Sequence, residues 1–273
     1  MSNKNHNIAA HIARTVCAMV IAVSASINAA SAAKRADFID PASSSDGCAF
    51  FHYNSDKRRK VGVACDGRGR YYMDCTSGHS DIPLTCGNGV YTVTLYQNID
   101  KTTYRIVERH TVNVTMADSN APYKVSTIEA PFTADDTVCK QASALCKTVK
   151  TDEQKVVAIY NYLDGGGFTY DHQLANSVAA GKVKNYLPSP TNTLATKKGI
   201  CYDYASLFAT MCRSQGVACK IVKGYTSNGV YHAWNEVCIK NKWYPIDITY
   251  AIGTSTPKAT NIAGCVSHAK YTV

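Results

Sequence analysis

The sequence lacks three patterns that define common classes of protein. It has twelve cysteines but no C-x-x-C pair. Structural zinc sites usually contain such pairs, so we expect no metal ion, and nothing in the sequence indicates a cofactor. After residue 33, no apolar run is long enough to span a membrane. The basic run from Lys57 to Lys60 has no aromatic stacking platform beside it, so we interpret it as a solvated turn and exclude nucleic acid as a partner.

The first 33 residues have the pattern of a secretory signal. Lys4 and Arg14 precede an apolar run from Val16 to Ile27, and small residues follow it. Polar residues interrupt the run before it reaches spanning length, although a signal retained as a membrane anchor stays open. We therefore predict a signal peptide over 1–33, a linker over 34–47, and a secreted or cell-envelope protein. Its excess of basic residues would favour a mild attraction to an anionic envelope.

Residues 48–131 have the pattern of a β-rich module. Short runs of β-branched and aromatic residues are separated there by Gly, Asp and Ser. Several strands at such short spacing suggest a small sandwich. The predicted strands cover residues 48–53, 61–65, 70–73, 90–96 and 104–114.

Residues 132–273 change to a helical pattern and make up the predicted second domain. Helix-forming residues occupy 135–150, and a second helix begins at Thr151, where T-D-E-Q is a capping box. Three glycines from Gly165 would end that helix.

The stretch over 171–198 is predicted as a long surface loop. It contains Pro188 and Pro190, which oppose regular structure. Long ordered loops in compact domains often line functional sites, so we expect this one near a site.

A cysteine stands at the start of the next predicted helix. The helix runs from Cys201 to about Gln215 and ends at Gly216, and two apolar faces make it the expected buried central helix. Gly199 allows a close approach of the backbone just before it. A thiol at a helix N-terminus lies beside unpaired N–H groups that favour its thiolate. The same amides could hold a developing oxyanion.

A histidine and an aspartate follow on two predicted strands. His232 lies in the run YHAWNEV, and Asp247 ends the run KWYPID. A two-residue turn at Lys240 and Asn241 would pair positions that sum to 481, and His232 and Asp247 sum to 479. Both side chains would then project from one face of the sheet and lie diagonally adjacent. A three-residue turn would place them on opposite faces. Cysteine, histidine and aspartate together predict an activated thiol nucleophile, its base and the residue that orients the base.

These segments resemble the transglutaminase-like superfamily. GICYDYASLFATMC matches the G-x-C-x-x-Y-A helix start of that family, HAWNEV its H-A-W-x-x-V strand, and WYPID its W-Y-x-x-D strand. The resemblance implies an α+β, papain-like core with a central helix packed on an antiparallel sheet. It assigns the nucleophile, base and orienter to Cys201, His232 and Asp247. Ile248 replaces the proline that commonly follows the aspartate in the family. The resemblance covers roughly Tyr71 to Tyr250, more loosely before Thr151, and is in particular to exported bacterial members in which a β-rich module precedes the core.

The resemblance implies attack on a peptide or protein amide and a thioester intermediate. We favour hydrolysis by a peptidase or amidase, because nothing resembles the calcium-binding apparatus or auxiliary domains of animal cross-linking enzymes. Two alternatives stay open at this stage. One is protein cross-linking by γ-glutamyl transfer to an amine, and the other is an envelope-associated binding module without catalytic activity.

The remaining cysteines suggest disulfide bonds. Ten cysteines are left when Cys17, in the predicted signal, and Cys201 are set aside. An even number beside one free reactive thiol is typical of a secreted enzyme, so up to five disulfides are predicted. A bridge between Cys139 and Cys146 is excluded, because seven residues of helix separate them by about 10 Å.

Overall fold

The computed structural model describes residues 37–40, 44–53, 59–75, 78–100, 103–183, 186–252 and 257–273. The predicted signal peptide lies outside the described residues. The segment predicted as a linker contains one short strand, Asp37–Asp40, which pairs with the strand Cys48–Tyr53. Among the described residues, no helix combines the length and the apolar character needed to cross a membrane.

The N-terminal part consists of two antiparallel sheets. One sheet has the order β1-β2-β5 and the other has the order β4-β3-β6-β7. Both sheets contribute to one buried apolar cluster, with Ala49 and Ile82 from the first and Val61, Val93 and Leu95 from the second. The strands are β1 Asp37–Asp40, β2 Cys48–Tyr53, β3 Arg59–Cys65, β4 Gly69–Cys75, β5 Gly78–Pro83, β6 Gly89–Asp100 and β7 Thr103–Val114.

The C-terminal part is a mixed α and β core around its own apolar cluster. Its main sheet is antiparallel with the order β12-β11-β10-β13, and β8 and β9 form a separate parallel pair. The helices are α1 Thr137–Cys146, α2 Asp152–Gly165, α3 His172–Ala179, α4 Pro190–Thr196, α5 Cys201–Ser214, α6 Ile248–Ile252 and α7 Ile262–Cys265. The strands are β8 Thr169–Tyr170, β9 Lys198–Gly199, β10 Cys219–Thr226, β11 Tyr231–Ile239, β12 Lys242–Ile246 and β13 Tyr271–Thr272.

Helix α5 is the central helix of this core. Every residue from Asp203 to Arg213 is buried. The helix packs against β10 and β11 of the main sheet on one side and against helices α1, α2, α4 and α6 on others. The predicted α+β class, with a central helix packed on an antiparallel sheet, is therefore confirmed. The domain boundaries proposed from the sequence stay a prediction.

The predicted start and end of α2 are confirmed. The Thr151 hydroxyl accepts a hydrogen bond from the Gln154 amide at 3.2 Å, and the Gln154 side chain accepts one from the Thr151 amide at 3.2 Å. The helix ends at Gly165, and Gly167 has a φ of +76°.

The prediction of an irregular loop over 171–198 is wrong. The segment contains α3 and α4. Asp171 accepts from the Leu174 amide, and Ser189 accepts from the Asn192 amide, so each caps a helix. Pro190 is the first residue of α4, where a missing N–H costs no hydrogen bond and a fixed φ suits the helix. Pro190, which was predicted to oppose regular structure, therefore begins a helix.

Candidate active site

The structure places Cys201 as the first residue of α5, and its side chain is half-buried. Asp203 holds this helix start in place: its Oδ2 accepts from the Ile200 amide at 2.8 Å, and its Oδ1 accepts from the Tyr186 hydroxyl at 2.7 Å. Gly199 is required for this packing, since a Cβ there would lie 2.7 Å from the Asp203 Cβ. The close approach expected at this glycine is confirmed.

His232 and Asp247 are brought together by the hairpin of β11 and β12. Asn235 pairs with Ile246 in this hairpin, so the predicted register with positions summing to 481 is confirmed. Lys240 and Asn241 form its turn with φ of +51° and +62°, which two-residue hairpin turns of type I′ require. His232 Nε2 lies 2.8 Å from Asp247 Oδ2.

The imidazole of His232 contacts both of its predicted partners. Burial opposes the charged form and lowers the pKa of His232, but hydrogen bonds to Asp247 and to Cys201 and the charges of both raise it to about 9. Since Nε2 faces Asp247, Nδ1 is the nitrogen left to face the thiol. The three residues chosen from the sequence thus form a chain of hydrogen bonds.

Asp247 is almost completely buried and has further partners. Only 5 % of its surface is exposed, so its charge must be satisfied by hydrogen bonds. Oδ1 accepts from the Tyr250 amide at 3.1 Å at the start of α6. Oδ2, which contacts His232, also accepts from the Tyr271 hydroxyl at 2.7 Å.

Tyr271 is a site residue that the sequence analysis missed. Its ring stacks on Trp234 with centroids 4.3 Å apart and lies parallel to the His232 ring at 6.1 Å. It reaches the site because β13 pairs with β10. A Cβ on Gly224 would lie 2.2 Å from the Thr272 carbonyl oxygen, so the glycine makes room for this strand. No local pattern around residue 271 indicates such a pairing.

Tyr170 is a second residue that the sequence analysis did not single out. The parallel pair of β8 and β9 aligns Tyr170 with Gly199, two residues before Cys201. The Tyr170 hydroxyl accepts a hydrogen bond from the Cys201 amide and also contacts the thiol. Burial, followed by the charge of Cys201, raises the pKa of Tyr170 to about 12. The phenol therefore occupies the helix start where an oxyanion could be held.

The described residues contain no group of three or more His, Cys, Asp or Glu side chains that could hold a metal ion. His232 contacts both Cys201 and Asp247. The chemistry that these residues could perform is thus proton transfer and nucleophilic attack by sulfur.

Comparison with known proteins agrees with this geometry. Residues 140–248 match the family model described as the Transglutaminase-like superfamily. This range includes the three candidate site residues and ends before β13.

Several known proteins are similar to parts of the chain. The Kyphoscoliosis peptidase of Homo sapiens is 31% identical over 152 residues, which are 50% of this chain and 22% of that protein. Uncharacterized protein YebA of Bacillus subtilis is 26% identical over 148 residues, 54% of this chain and 19% of that protein. The chain thus spans about a fifth of the length of these curated relatives.

One solved structure with a similar chain is the periplasmic domain of TgpA from Pseudomonas aeruginosa bound to ethylmercury. It aligns with 80% of this chain and 96% of its own, at 13% identity and a TM-score of 0.35. The family match, which covers the helix of Cys201 and the hairpin of His232, is the more informative finding. Residues 140–248 are thus similar to the transglutaminase-like superfamily.

Proposed function

We propose that this chain is an exported cysteine enzyme that hydrolyses amide bonds in peptides or proteins through a thioester. The observation that carries the proposal is the hydrogen-bonded chain from Cys201 through His232 to Asp247 at the start of a buried helix. A thiol, a base and an orienting carboxylate in contact are the parts needed for acyl transfer.

The first half-reaction forms the thioester. His232 accepts the thiol proton, and Cys201 Sγ forms a bond to the substrate carbonyl carbon while the carbonyl π electrons move to oxygen. When the tetrahedral intermediate collapses, the C–N bond breaks, and the imidazolium of His232 gives its proton to the leaving amine. Asp247 stabilises the imidazolium and fixes the orientation of its ring.

The second half-reaction uses water. His232 takes a proton from a water molecule, whose oxygen attacks the thioester carbonyl carbon. The C–S bond breaks, the carboxylic acid leaves, and the sulfur recovers a proton from His232. If a lysine amine attacked in place of water, the product would be a new amide, which is the cross-linking alternative.

The backbone amide of Cys201 is the proposed donor to the oxyanion. It lies at the N-terminus of α5, where the helix dipole favours negative charge. The Tyr170 hydroxyl accepts from this amide in the free protein. We propose that the substrate oxygen replaces the phenol as acceptor, after which the phenol can donate to the same oxygen.

Two further observations support hydrolysis and export. The human relative and its mouse counterpart, which is 32% identical over 133 residues, are both named peptidases. The bridge between Cys65 and Cys86 is typical of proteins in oxidising compartments. With the signal pattern at the N-terminus, this bridge supports a secreted or cell-envelope location.

The test is incubation with a mixed peptide library, with and without a primary amine, followed by mass spectrometry. We expect cleaved or deamidated peptides in both samples and no product with Cys201→Ala, which should fold normally. Incorporation of the amine as the main product would replace hydrolysis by cross-linking. Equal activity of Cys201→Ala on the same peptides would refute the proposed mechanism. Absence of every product with the wild type would favour the binding-module alternative.

A further inference from the structure

A cleft of about 330 Å³ lies between the β sheets and the core. One wall is the edge strand β4, with Tyr71 and Tyr72, and the opposite wall includes Ile221 of β10. Tyr123, from the segment that joins the two parts, contributes a third aromatic ring. The walls therefore suit a ligand with an apolar or planar body.

Arg213 lines this cleft and has no carboxylate partner among the described residues. It is 7% exposed, and its Nε donates to the Cys219 carbonyl at 2.9 Å. Its Nη1 donates to the Val125 carbonyl and to the Thr127 hydroxyl at 3.2 and 3.1 Å. No described carboxylate forms an ion pair with it. A guanidinium has five N–H groups, so the two on Nη2 are left for a ligand in the cleft.

The charges that line the cleft favour an anion. Arg213, Lys220 and Lys223 are positive, and Glu129 is the negative residue of the lining. Lys220 also forms an ion pair with Glu236 at 3.0 Å. The carboxylate of Glu129 already contacts the Lys223 ammonium and accepts from the Tyr202 hydroxyl at 2.5 Å. This contact neutralises the charges of Glu129 and Lys223 alike. The buried guanidinium of Arg213 therefore gains most from a new anionic partner.

The cleft and the candidate active site share two elements. Tyr202, which contacts Glu129 and Lys223 of the lining, directly follows Cys201 in α5. On β10, Lys223 directly precedes Gly224, which is the strand partner of His232. A peptide of several residues, at about 3.3–3.6 Å per extended residue, could then carry both the reacting amide and a group for the cleft.

We infer that this cleft is a substrate subsite that binds a carboxylate of the peptide, held by Arg213 between the tyrosine walls, while Lys223 offsets the charge of Glu129. The inference rests on the proposed function only in taking a peptide as the substrate. The carboxylate is either an acidic side chain or the chain terminus. Peptides that carry it would be preferred over neutral peptides of the same length.

Binding to the Cys201→Ala protein tests the subsite without any turnover. Three octapeptide pools are passed over the immobilised protein and the retained peptides are quantified by mass spectrometry. The first pool is acetylated and amidated with Glu at two fixed positions. The second has Gln at those positions, and the third has Gln with a free terminal carboxylate. We expect about tenfold greater retention of the first or the third pool than of the second, the gain typical of a charge-assisted hydrogen bond.

Three variants distinguish binding of the carboxylate in the cleft from attraction by the overall positive charge of the protein. Arg213→Lys keeps a cation but lacks the two Nη2 donors, and Lys223→Met removes the second cation. Each should reduce the preference severalfold, whereas Lys242→Met, which removes an exposed charge on β12, should leave it unchanged. If Arg213→Lys melts below the assay temperature, Lys223→Met decides the question.

Three results would overturn the inference: equal retention of the three pools, a preference that survives both cleft variants, or a preference lost equally in Lys242→Met. None of them bears on the triad, because the binding protein lacks the nucleophile. Turnover without a carboxylate preference would therefore refute the subsite and leave the proposed function standing.

Discussion

Tyr271 and His232 share one carboxylate oxygen. Both lie within 2.8 Å of Asp247 Oδ2, and the phenol can only act as the donor there, since the carboxylate is an acceptor. The phenol also contacts the Ser267 hydroxyl at 2.7 Å. Donation by Tyr271 therefore holds the carboxylate in place but also withdraws part of its charge from the imidazole. We interpret Tyr271 as a positioning residue for the pair.

Tyr271→Phe should lower kcat about tenfold with KM nearly unchanged. The ring can still stack on Trp234, and only the hydrogen bond is lost, which is typically worth about 1.5 kcal/mol or more when one partner is charged. Because Asp247 then attracts the imidazolium more strongly, the pKa of His232 should rise. Steady-state kinetics over a range of pH measure both effects. Tyr225→Phe, an exposed tyrosine on β10, is the control, and an identical pH profile in Tyr271→Phe would reduce its role to packing.

Asp247→Asn should lower the rate by several orders of magnitude, about 10⁴-fold by analogy with a serine triad. It should also lower the pKa of His232, because burial still opposes the charge when the carboxylate is gone. In the wild type, this pKa is raised from 6.5 to about 9. The stability that the pair contributes is therefore complete below pH 6.5 and is lost as the pH rises through 9.

Denaturant unfolding of the wild type and of Asp247→Asn between pH 6.5 and about 9 tests whether the stability depends on the protonation of His232. The stability advantage of the wild type over Asp247→Asn should shrink between pH 6.5 and about 9. An advantage that stays constant with pH would mean that the carboxylate acts only as the cap of α6. NMR titration of the histidine ring provides the direct measurement of its pKa.

At the scale of single elements, the sequence predicts those features that depend on neighbouring residues. The capping box at Thr151 and the turn at Lys240 and Asn241 are short-range patterns, and both are confirmed. Tyr170 and Tyr271 could not be found in this way, because pairing with distant strands brings them to the site. Pro190 was misinterpreted because a proline opposes the interior of a helix but suits its first turn.

Gly224→Ala tests whether the docking of β13 matters for the site. The new methyl group would lie 2.2 Å from the Thr272 carbonyl oxygen, so the strand would have to move and take Tyr271 with it. We expect a loss of about 1–3 kcal/mol in the free energy of unfolding and a kcat reduced at least as much as in Tyr271→Phe. The double variant Gly224→Ala with Tyr271→Phe should have nearly the same kcat as Gly224→Ala alone, because both changes act through Tyr271.

Gly165→Ala is the matched control for this substitution. Gly165 ends α2, and a Cβ there meets no atom within 4 Å. Alanine at this position should be neutral or slightly stabilising. Normal kcat in Gly224→Ala would contradict the proposed coupling between β13 and the site.

For the whole molecule, the predicted presence of disulfide bonds is confirmed, but the prediction of a single free thiol is wrong. Among the described residues, one disulfide forms, between Cys65 and Cys86, and nine cysteines form no disulfide. The number of cysteines gave an upper limit of five disulfide bonds, but it contained no information on the distances between the cysteines. Seven of these nine cysteines are buried, where cysteine serves as a small apolar side chain. Cys139 and Cys146, whose pairing was excluded on helix length, are both free.

Replacing Cys65 and Cys86 together by Ala should lower the free energy of unfolding by about 3 kcal/mol. The bridge closes a loop with a sequence separation of 21 residues, and the loss of chain entropy in a loop of this size has about that effect. The loss should disappear when both proteins are unfolded under reducing conditions. An unchanged stability under oxidising conditions would mean that the bridge does not form in solution.

The proposed mechanism depends most on Cys201 being the activated thiol. Competitive alkylation measures the reactivity of this thiol directly. Cys201 and Cys75 are the two described free cysteines that are only half-buried, so access alone would make them react alike. Burial raises the pKa of Cys75 to about 12, whereas Cys201 lies beside His232 at a helix start. Native protein at pH 7 is treated with a limiting amount of iodoacetamide, and the labelled peptides are quantified by mass spectrometry. We predict prompt, stoichiometric labelling of Cys201, at least about a hundredfold faster than of Cys75. Equal rates at the two thiols, or no labelling of Cys201, would contradict the account.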